Sequence, residues 1–346
     1  MKRVAPRFPA AHPRICRLAS QRDTSPVGDL LERIGLEVPI VQAGMGGGLA
    51  GAELAAAVSD AGGLGTIGIL GPDQLRDEIA AARRLTDRPI AVNLLLVLAR
   101  PAHFEAAEQA DVLVTFWGRP RRRTSRIWLH QVGSAEEALA AREEGADGVI
   151  AQGVEAGGHV RGTTPAAELL ERSRAALGPD YPVLSAGGVT GSAEVRDRLD
   201  AGADGIVSGT RFLMSEESGA HPDYTERLVE ARETLLTELF GLGWPAPHRV
   251  VPNAATDRWL RGDPRGPAWV RAIHKVTSFG ASRVPISFQF RLAASQRPSR
   301  PLFGPAAATA DGPSSLVEAG PLYAGECIER IGDVRPAADL VHDLAP

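Results

Sequence analysis

"EEALAAREEGADGVIAQG" (residues 136–153) and "AEVRDRLDAGADGIVSGT" (residues 193–210) are one unit written twice, in register, at an offset of 57 residues. Each runs from an amphipathic helix through G-A-D-G into a short β-branched run. "ELAAAVSDAGGLGTIGIL" (53–70) repeats the plan with A-G-G-L-G at the turn. Glycine at the helix C-cap followed by a nearly continuous apolar run is the αβ half of a βαβ unit, whose strand is covered on both faces. The repeat therefore predicts a parallel sheet.

Working outward, strands are predicted over 39–45, 63–69, 89–96, 111–117, 126–132, 147–153, 181–188 and 204–210. Helices are predicted over 51–61, 72–86, 101–110, 134–144, 165–177 and 191–200. Eight alternating β/α units argue for a (β/α)8 TIM barrel over an open doubly wound sheet. One connection is short: "WGRPRRRTSR" (117–126) leaves too little chain for a normal crossover helix, so the fourth helix is expected to be shortened or absent. Its five arginines read as a solvated edge and are assigned no chemistry.

Residues 27–212 and 316–346 are assigned to the barrel, and 213–315 to a smaller helical and loop region, a lid over its mouth. Within that part, 210–240 reads as helix, turn and helix, and 241–315 as loops and short helices. Residues 1–26, rich in Lys, Arg and Pro, read as a disordered basic extension.

With 346 residues, 44 % of them hydrophobic, the chain can bury a large core, and a formal charge of -4 offers no global field for nucleic acid or an anionic membrane. No apolar run is long enough to span a bilayer. Two distant cysteines, Cys16 and Cys327, exclude a disulfide framework and a thiolate metal site, so a soluble cytoplasmic enzyme acting on a small molecule is expected, with no metal.

In such a barrel, residues just past the strand C-termini converge on one face. Here they are rich in glycine and amide and poor in carboxylates: Gly44 and Met45, Asn93, Gln131, Gln152 through His159, Ser185 to Gly188, and Ser208 to Thr210. The loops "AGG" (186–188) and "SGT" (208–210) stand where backbone N–H groups hold phosphate in many barrels. Asn93, Gln131 and Gln152 suit a planar heterocycle with both donors and acceptors. Phosphate plus a flat polar ring suggests flavin mononucleotide, FMN. His159 follows Gly157 and Gly158 on what reads as a glycine turn, where an imidazole can move a proton near neutral pH. His130, read as facing inward on its strand, His221 and His274 are given no role, and Glu155 has no assured direction into the mouth.

Six stretches carry a family resemblance: "PIVQAGMGGGLAGAELAAAVSDAGGLGTIG" (39–68), "RPIAVNLLL" (88–96), "AQGVEAGGHVRG" (151–162), "PVLSAGGV" (182–189), "GADGIVSGTRFLMSEESGAHPDY" (202–224) and "LYAGE" (322–326). From about Leu30 onward the chain resembles the nitronate monooxygenases, FMN-dependent barrels formerly called 2-nitropropane dioxygenases. The resemblance implies that Gly44, Met45, Asn93 and Gln152 meet the flavin, with Gly157 and Gly158 beside it. It also implies that Ala186, Gly187, Gly188, Gly209 and Thr210 hold its phosphate, and that His159 is the active-site histidine. The short 117–126 connection departs from the family pattern. The implied reaction is oxidative denitrification of alkyl nitronates, or of nitroalkanes, with O2, giving a carbonyl compound and nitrite. Two other readings stay open: an NAD(P)H-dependent enoyl-thioester reductase on the same flavin, and a flavin-binding barrel without catalysis. Oligomeric state is not written in the residues, and a homodimer is allowed.

Overall fold

The computed structural model describes residues 29–346 except 282–283, 285–287, 289–290, 293–294 and 301; the expected basic extension lies outside the described residues. Eight parallel strands form the barrel: β1 (Ile40–Gln42), β2 (Gly65–Ile67), β3 (Ile90–Leu95), β4 (Val112–Phe116), β5 (Ile127–Val132), β6 (Gly148–Gln152), β8 (Val183–Ala186) and β9 (Gly205–Ser208). β1 pairs with β9, and the bridges Val41–Leu64 and Met45–Ile67 join it to the β2 side, closing the ring. All eight predicted strands are present.

Side-chain parity sorts the strand residues into two layers. Val41, Ala91, Val114, Leu129, Ile150, Leu184 and Val207 point inward, and Leu30, Leu31 and Ile34 of helix α1 (Asp29–Ile34) join the same cluster. Glycine makes room for them: a Cβ on Gly148 would lie 2.9 Å from Leu30, and one on Gly205 2.6 Å from Leu31. The outward residues, among them Ile40, Val92, Leu113, Val149 and Ile206, pack under the helices. His130 belongs with this outer layer, which corrects the inward reading: it shares parity with Trp128, and Leu129 and Gln131 face inside.

Aspartates at the strand entrances, two of them from the repeat, have a job of their own. Asp204 accepts the N–H of Val183 at 2.8 Å, Asp147 that of Trp128 at 2.8 Å, and Asp111 that of Ile90 at 2.9 Å. Each carboxylate at a strand entrance satisfies a backbone donor of the neighbouring strand that would otherwise be orphaned.

Six helices follow their strands at the predicted places: α2 (Ala52–Asp60), α3 (Pro72–Leu85), α4 (Pro101–Ala107), α5 (Ala135–Glu143), α6 (Ala166–Leu177) and α7 (Ser192–Asp200). Residues 117–126 contain no helix. Two arginines pin that connection instead: Arg122 pairs with Asp147 at 3.1 Å, and Arg126 donates to the Glu108 carbonyl at 2.9 Å. The final helix, Ala337–Leu344, packs against α2 and α7 and completes the outer layer.

Beyond β9 the expectations need correction. α8 (Thr210–Leu213) and α9 (Pro222–Glu230) form, but the expected second helix of 210–240 ends at Glu230 and gives way to strand β10 (Leu235–Thr237). Among the described residues, the region 241–315 holds the expected loops and a short helix, α10 (Ala254–Trp259), and also strand β11 (His248–Val251) and the 14-residue helix α11 (Ala268–Ala281). β10, β11 and β12 (Leu322–Tyr323) make a small antiparallel sheet, so residues 322–323 belong to this sheet and not to the barrel wall. Strands this short, flanked by Pro and Gly, show no readable period because their partners lie far along the chain.

Buried histidines make the fold acid-sensitive. Burial lowers His130, His248 and His274 to about 4 and lowers His103 as well. His248 is held neutral: its Nδ1 bonds the Ala246 carbonyl and its Nε2 accepts the Phe240 N–H. Unfolded histidines titrate near 6.5, so below that pH the unfolded chain binds more protons. The stability these groups contribute is full above pH 6.5 and is lost as pH falls from there towards 4. His130 alone accounts for about 3 kcal/mol at the acid end, and thermal unfolding across this window is expected to show a falling Tm. Independently, a Cβ on Gly65 would lie 1.9 Å from the Ala55 carbonyl oxygen, whereas Gly262 faces open space. Gly65→Ala is expected to cost about 3 kcal/mol, and Gly262→Ala almost nothing; urea unfolding of both variants checks this.

Candidate active site

The C-terminal ends of the strands open into a cavity of about 230 Å³. It is lined by Gly44 and Met45 after β1, Asn93 on β3, Gln152 at the end of β6, Gly157, Gly158 and His159 beyond it, Ala186, Gly187 and Gly188 after β8, and Gly209 and Thr210 after β9, whereas Gly153, Val154, Glu155 and Ser185 of the stretches expected there do not line it. Gln131 lines it too. Among the described lining residues none is Asp, Glu, Lys or Arg. No group of three or more His, Cys, Asp or Glu suited to hold a metal ion occurs among the described residues.

The glycines are required by space and by backbone. A Cβ at Gly44 would lie 2.3 Å from Cβ of Asn93, so only glycine lets the β1 loop pass beside that amide. Gly187 and Gly188 have φ of 118° and 75°, a left-handed path closed to other residues without strain. The loop after β9 enters α8, and the Thr210 hydroxyl accepts the Gly325 N–H at 2.9 Å, tying that loop to the chain after β12.

His159 does not sit on a turn. Gly158 and His159 form strand β7, which pairs antiparallel with β11 in the register His159–His248 and Gly158–Arg249. The Val160 N–H adds a bond to the Pro247 carbonyl at 2.9 Å. The amide of Gln152 is occupied in holding this strand: its Nε2 donates to the His159 carbonyl at 3.0 Å, and its Oε1 accepts the Arg161 N–H at 3.2 Å. Arg249 donates to the Val154 carbonyl at 2.9 Å from the far side. Glu155 has a structural place outside the cavity: its carboxylate caps the first N–H of α6, on Ala166, at 3.0 Å and lies 3.6 Å from Arg198.

The imidazole of His159 is stacked on Trp244, with ring centres 3.7 Å apart and planes 19° apart. His248 and Tyr323 stand at 5.3 Å and 5.5 Å. Nε2 of His159 and Nε1 of Trp244 are buried without a partner among the described residues. Burial, helped by neighbouring His248, drives the His159 pKa well below its ordinary value, so the ring is neutral at pH 7. A neutral imidazole with an unpartnered nitrogen on the wall of a cavity can accept a proton from a bound molecule, or donate a hydrogen bond to it.

Sequence reasoning missed Trp244 and Tyr323 as lining residues. A tryptophan set between glycine and proline in "GLGWPAPH" (241–248) was the available signal for the first. Tyr323 lay within "LYAGE", one of the stretches that carry the resemblance.

The geometry can be set beside known proteins. The family model described as nitronate monooxygenase matches residues 29–126 and 120–346. A Bacillus subtilis protein named "Probable nitronate monooxygenase" is 29 % identical over 267 residues, 62 % of this chain and 77 % of that one. Among solved structures, FabK from Thermotoga maritima superposes with a TM-score of 0.71 at 27 % identity, covering 91 % of this chain and 93 % of that chain. The nitroalkane oxidase from Streptomyces ansochromogenes gives 0.69 at 27 % identity, covering 89 % and 95 %. With a closed eight-stranded barrel and a match running from the first described helix to the C-terminus, the chain belongs to the nitronate monooxygenase family of flavin oxidoreductases.

Proposed function

We propose that the protein binds FMN in the barrel mouth and uses it, with O2, to convert alkyl nitronates, and nitroalkanes after deprotonation, into carbonyl compounds and nitrite. The observation that carries this reading is the neutral, buried His159 with an unpartnered Nε2 on the wall of the cavity. The cavity fits a flavin on two further counts. The left-handed Gly187–Gly188 loop and Gly209 offer backbone N–H groups without Cβ obstruction, and Asn93 and Gln131 offer amides on the wall of the same cavity. FMN, when bound, supplies the electron transfer and the reaction with oxygen.

What remains falls to the chain. The two glycine loops hold the phosphate through N–H groups. Asn93 and Gln131 would offer hydrogen bonds to the polar edge of the ring, and Met45 would line the same cavity wall. Gln152 acts by fixing β7, and so the position of His159. His159 takes the α-proton of a neutral nitroalkane at Nε2, whose lone pair is available because the ring is uncharged at neutral pH. A preformed nitronate needs no such step.

Oxygen uptake and nitrite release with propionate 3-nitronate and with simple alkyl nitronates, recorded with flavin content on the same sample, test the reading; a flavin-loaded protein inert to all of them refutes it. His159→Asn is expected to lower kcat/KM for nitroalkanes about 10²- to 10⁴-fold, and to affect preformed nitronates far less. Because the folded pKa lies below 6.5, nitroalkane turnover should stay level as pH falls through 6.5 and decline only at lower pH. Gly188→Ala forces a side chain onto a left-handed residue of the phosphate loop, and flavin content after dialysis is expected to fall.

A further inference from the structure

The helix-less connection after β4 is absorbed neither by the barrel nor by the proposed reaction, yet its first residue reaches the active site. Trp117 has φ of 58°, a left-handed conformation that bulky residues rarely adopt. Its ring stands edge-on to Trp244, with centres 5.3 Å apart and planes at 88°, and edge-on to Phe116 at 5.4 Å. Over Trp117 lies the guanidinium of Arg161, 5.0 Å from the ring centre. Arg161 is anchored to Glu137 at 2.6 Å and, through its N–H, to Gln152. It follows His159 by two residues in the chain.

These contacts form a closed circuit: His159 stacks on Trp244, Trp244 rests on Trp117, Trp117 lies beneath Arg161, and Arg161 leads back to His159. We propose that Trp117 and Trp244 are positioning residues that clamp the imidazole of His159, and that the short β4–β5 connection supplies one arm of this clamp. The inference rests on the reading of His159 as the proton acceptor.

A face-to-face stack fixes the plane of the imidazole and leaves its edge, where Nε2 lies, to meet a ligand. The same indole covers one face of the ring and keeps water from it. The strain at Trp117 persists because Arg161, Phe116 and Trp244 together hold its ring in place. Besides these, the titratable groups that face His159 are His248 of β11 and Tyr323 of β12, and its own strand is followed by Arg161. None is a carboxylate that could stabilise the imidazolium, so the indole is the cover whose removal lets water do so.

The test is NMR titration of the flavin-bound protein carrying ¹³C-labelled histidine, with the His159 signal assigned by its loss in His159→Asn. Wild type, Trp244→Phe, Trp244→Ala and Trp117→Gly are compared, together with kcat/KM for a nitroalkane and its nitronate. Trp244→Ala is expected to raise the His159 midpoint by about one unit and to lower nitroalkane kcat/KM about 10- to 100-fold, with a smaller effect on the nitronate. Trp244→Phe keeps a flat ring on the imidazole and should stay near wild type in both. Trp117→Gly should move both readouts in the same direction as Trp244→Ala, since it removes the ring behind Trp244 and leaves a backbone that glycine adopts without strain. An unchanged His159 midpoint in Trp244→Ala overturns the clamp, as does an equal loss on nitroalkane and nitronate in both variants. If wild type releases no nitrite from any nitronate, the proposed reaction fails, and the titration still decides the clamp by itself.

Discussion

Closure of the parallel sheet is the constraint on which the rest depends. β1 must pair with β9 on one side and meet β2 on the other, so the inward side chains of eight strands share a space that aliphatic residues and the α1 plug fill from below. A closed barrel has no free edge, and its floor is taken by Leu30 and Leu31. The open end is therefore where the strand C-termini stop and glycine loops begin. The aspartates at the strand entrances do complementary work at the opposite end, satisfying backbone donors where the ladder has not yet started.

A cavity lined by glycine and amides can cradle a ligand but has little acid–base capacity. This chain adds that capacity from outside the barrel. A short antiparallel sheet reaches over the mouth and pairs with Gly158–His159, converting what would be a loop into a strand with a defined register. Gln152, Arg249 and the Val160 N–H then hold that strand from three directions. The site histidine is thus positioned by a barrel strand below and a sheet above, and its neutrality follows from the burial this produces.

The barrel was legible because its signals are local. The G-A-D-G repeat, the apolar runs and the alternation of short strands with amphipathic helices all lie within windows of about 20 residues. The candidate site was legible for a related reason: in a closed barrel, position along a strand determines which residues meet, so Gly44, Asn93, Gln152, Gly187 and Thr210 could be placed in one mouth before any contact was known. The lid region was opaque. "HRVV" and "LY" are too short to show a period, and their strand character comes from partners far away in the sequence. The parity of His130 was misread because Leu129 and Gln131, not His130, share the inward face.

Sequence alone determined the eight-unit barrel, the helix-less connection at 117–126, the glycine loops and the presence of a histidine beyond β6. Each of these is set by steric rules and periodicities that act between near neighbours. Only the tertiary structure decided that His159 is a strand residue, that Gln152 braces it, and that Trp244 covers its face with Trp117 behind. Those facts depend on which distant segments happen to pack together, and burial at their meeting point makes the imidazole neutral. No local pattern encodes that, because desolvation belongs to the assembled surroundings and not to the residue.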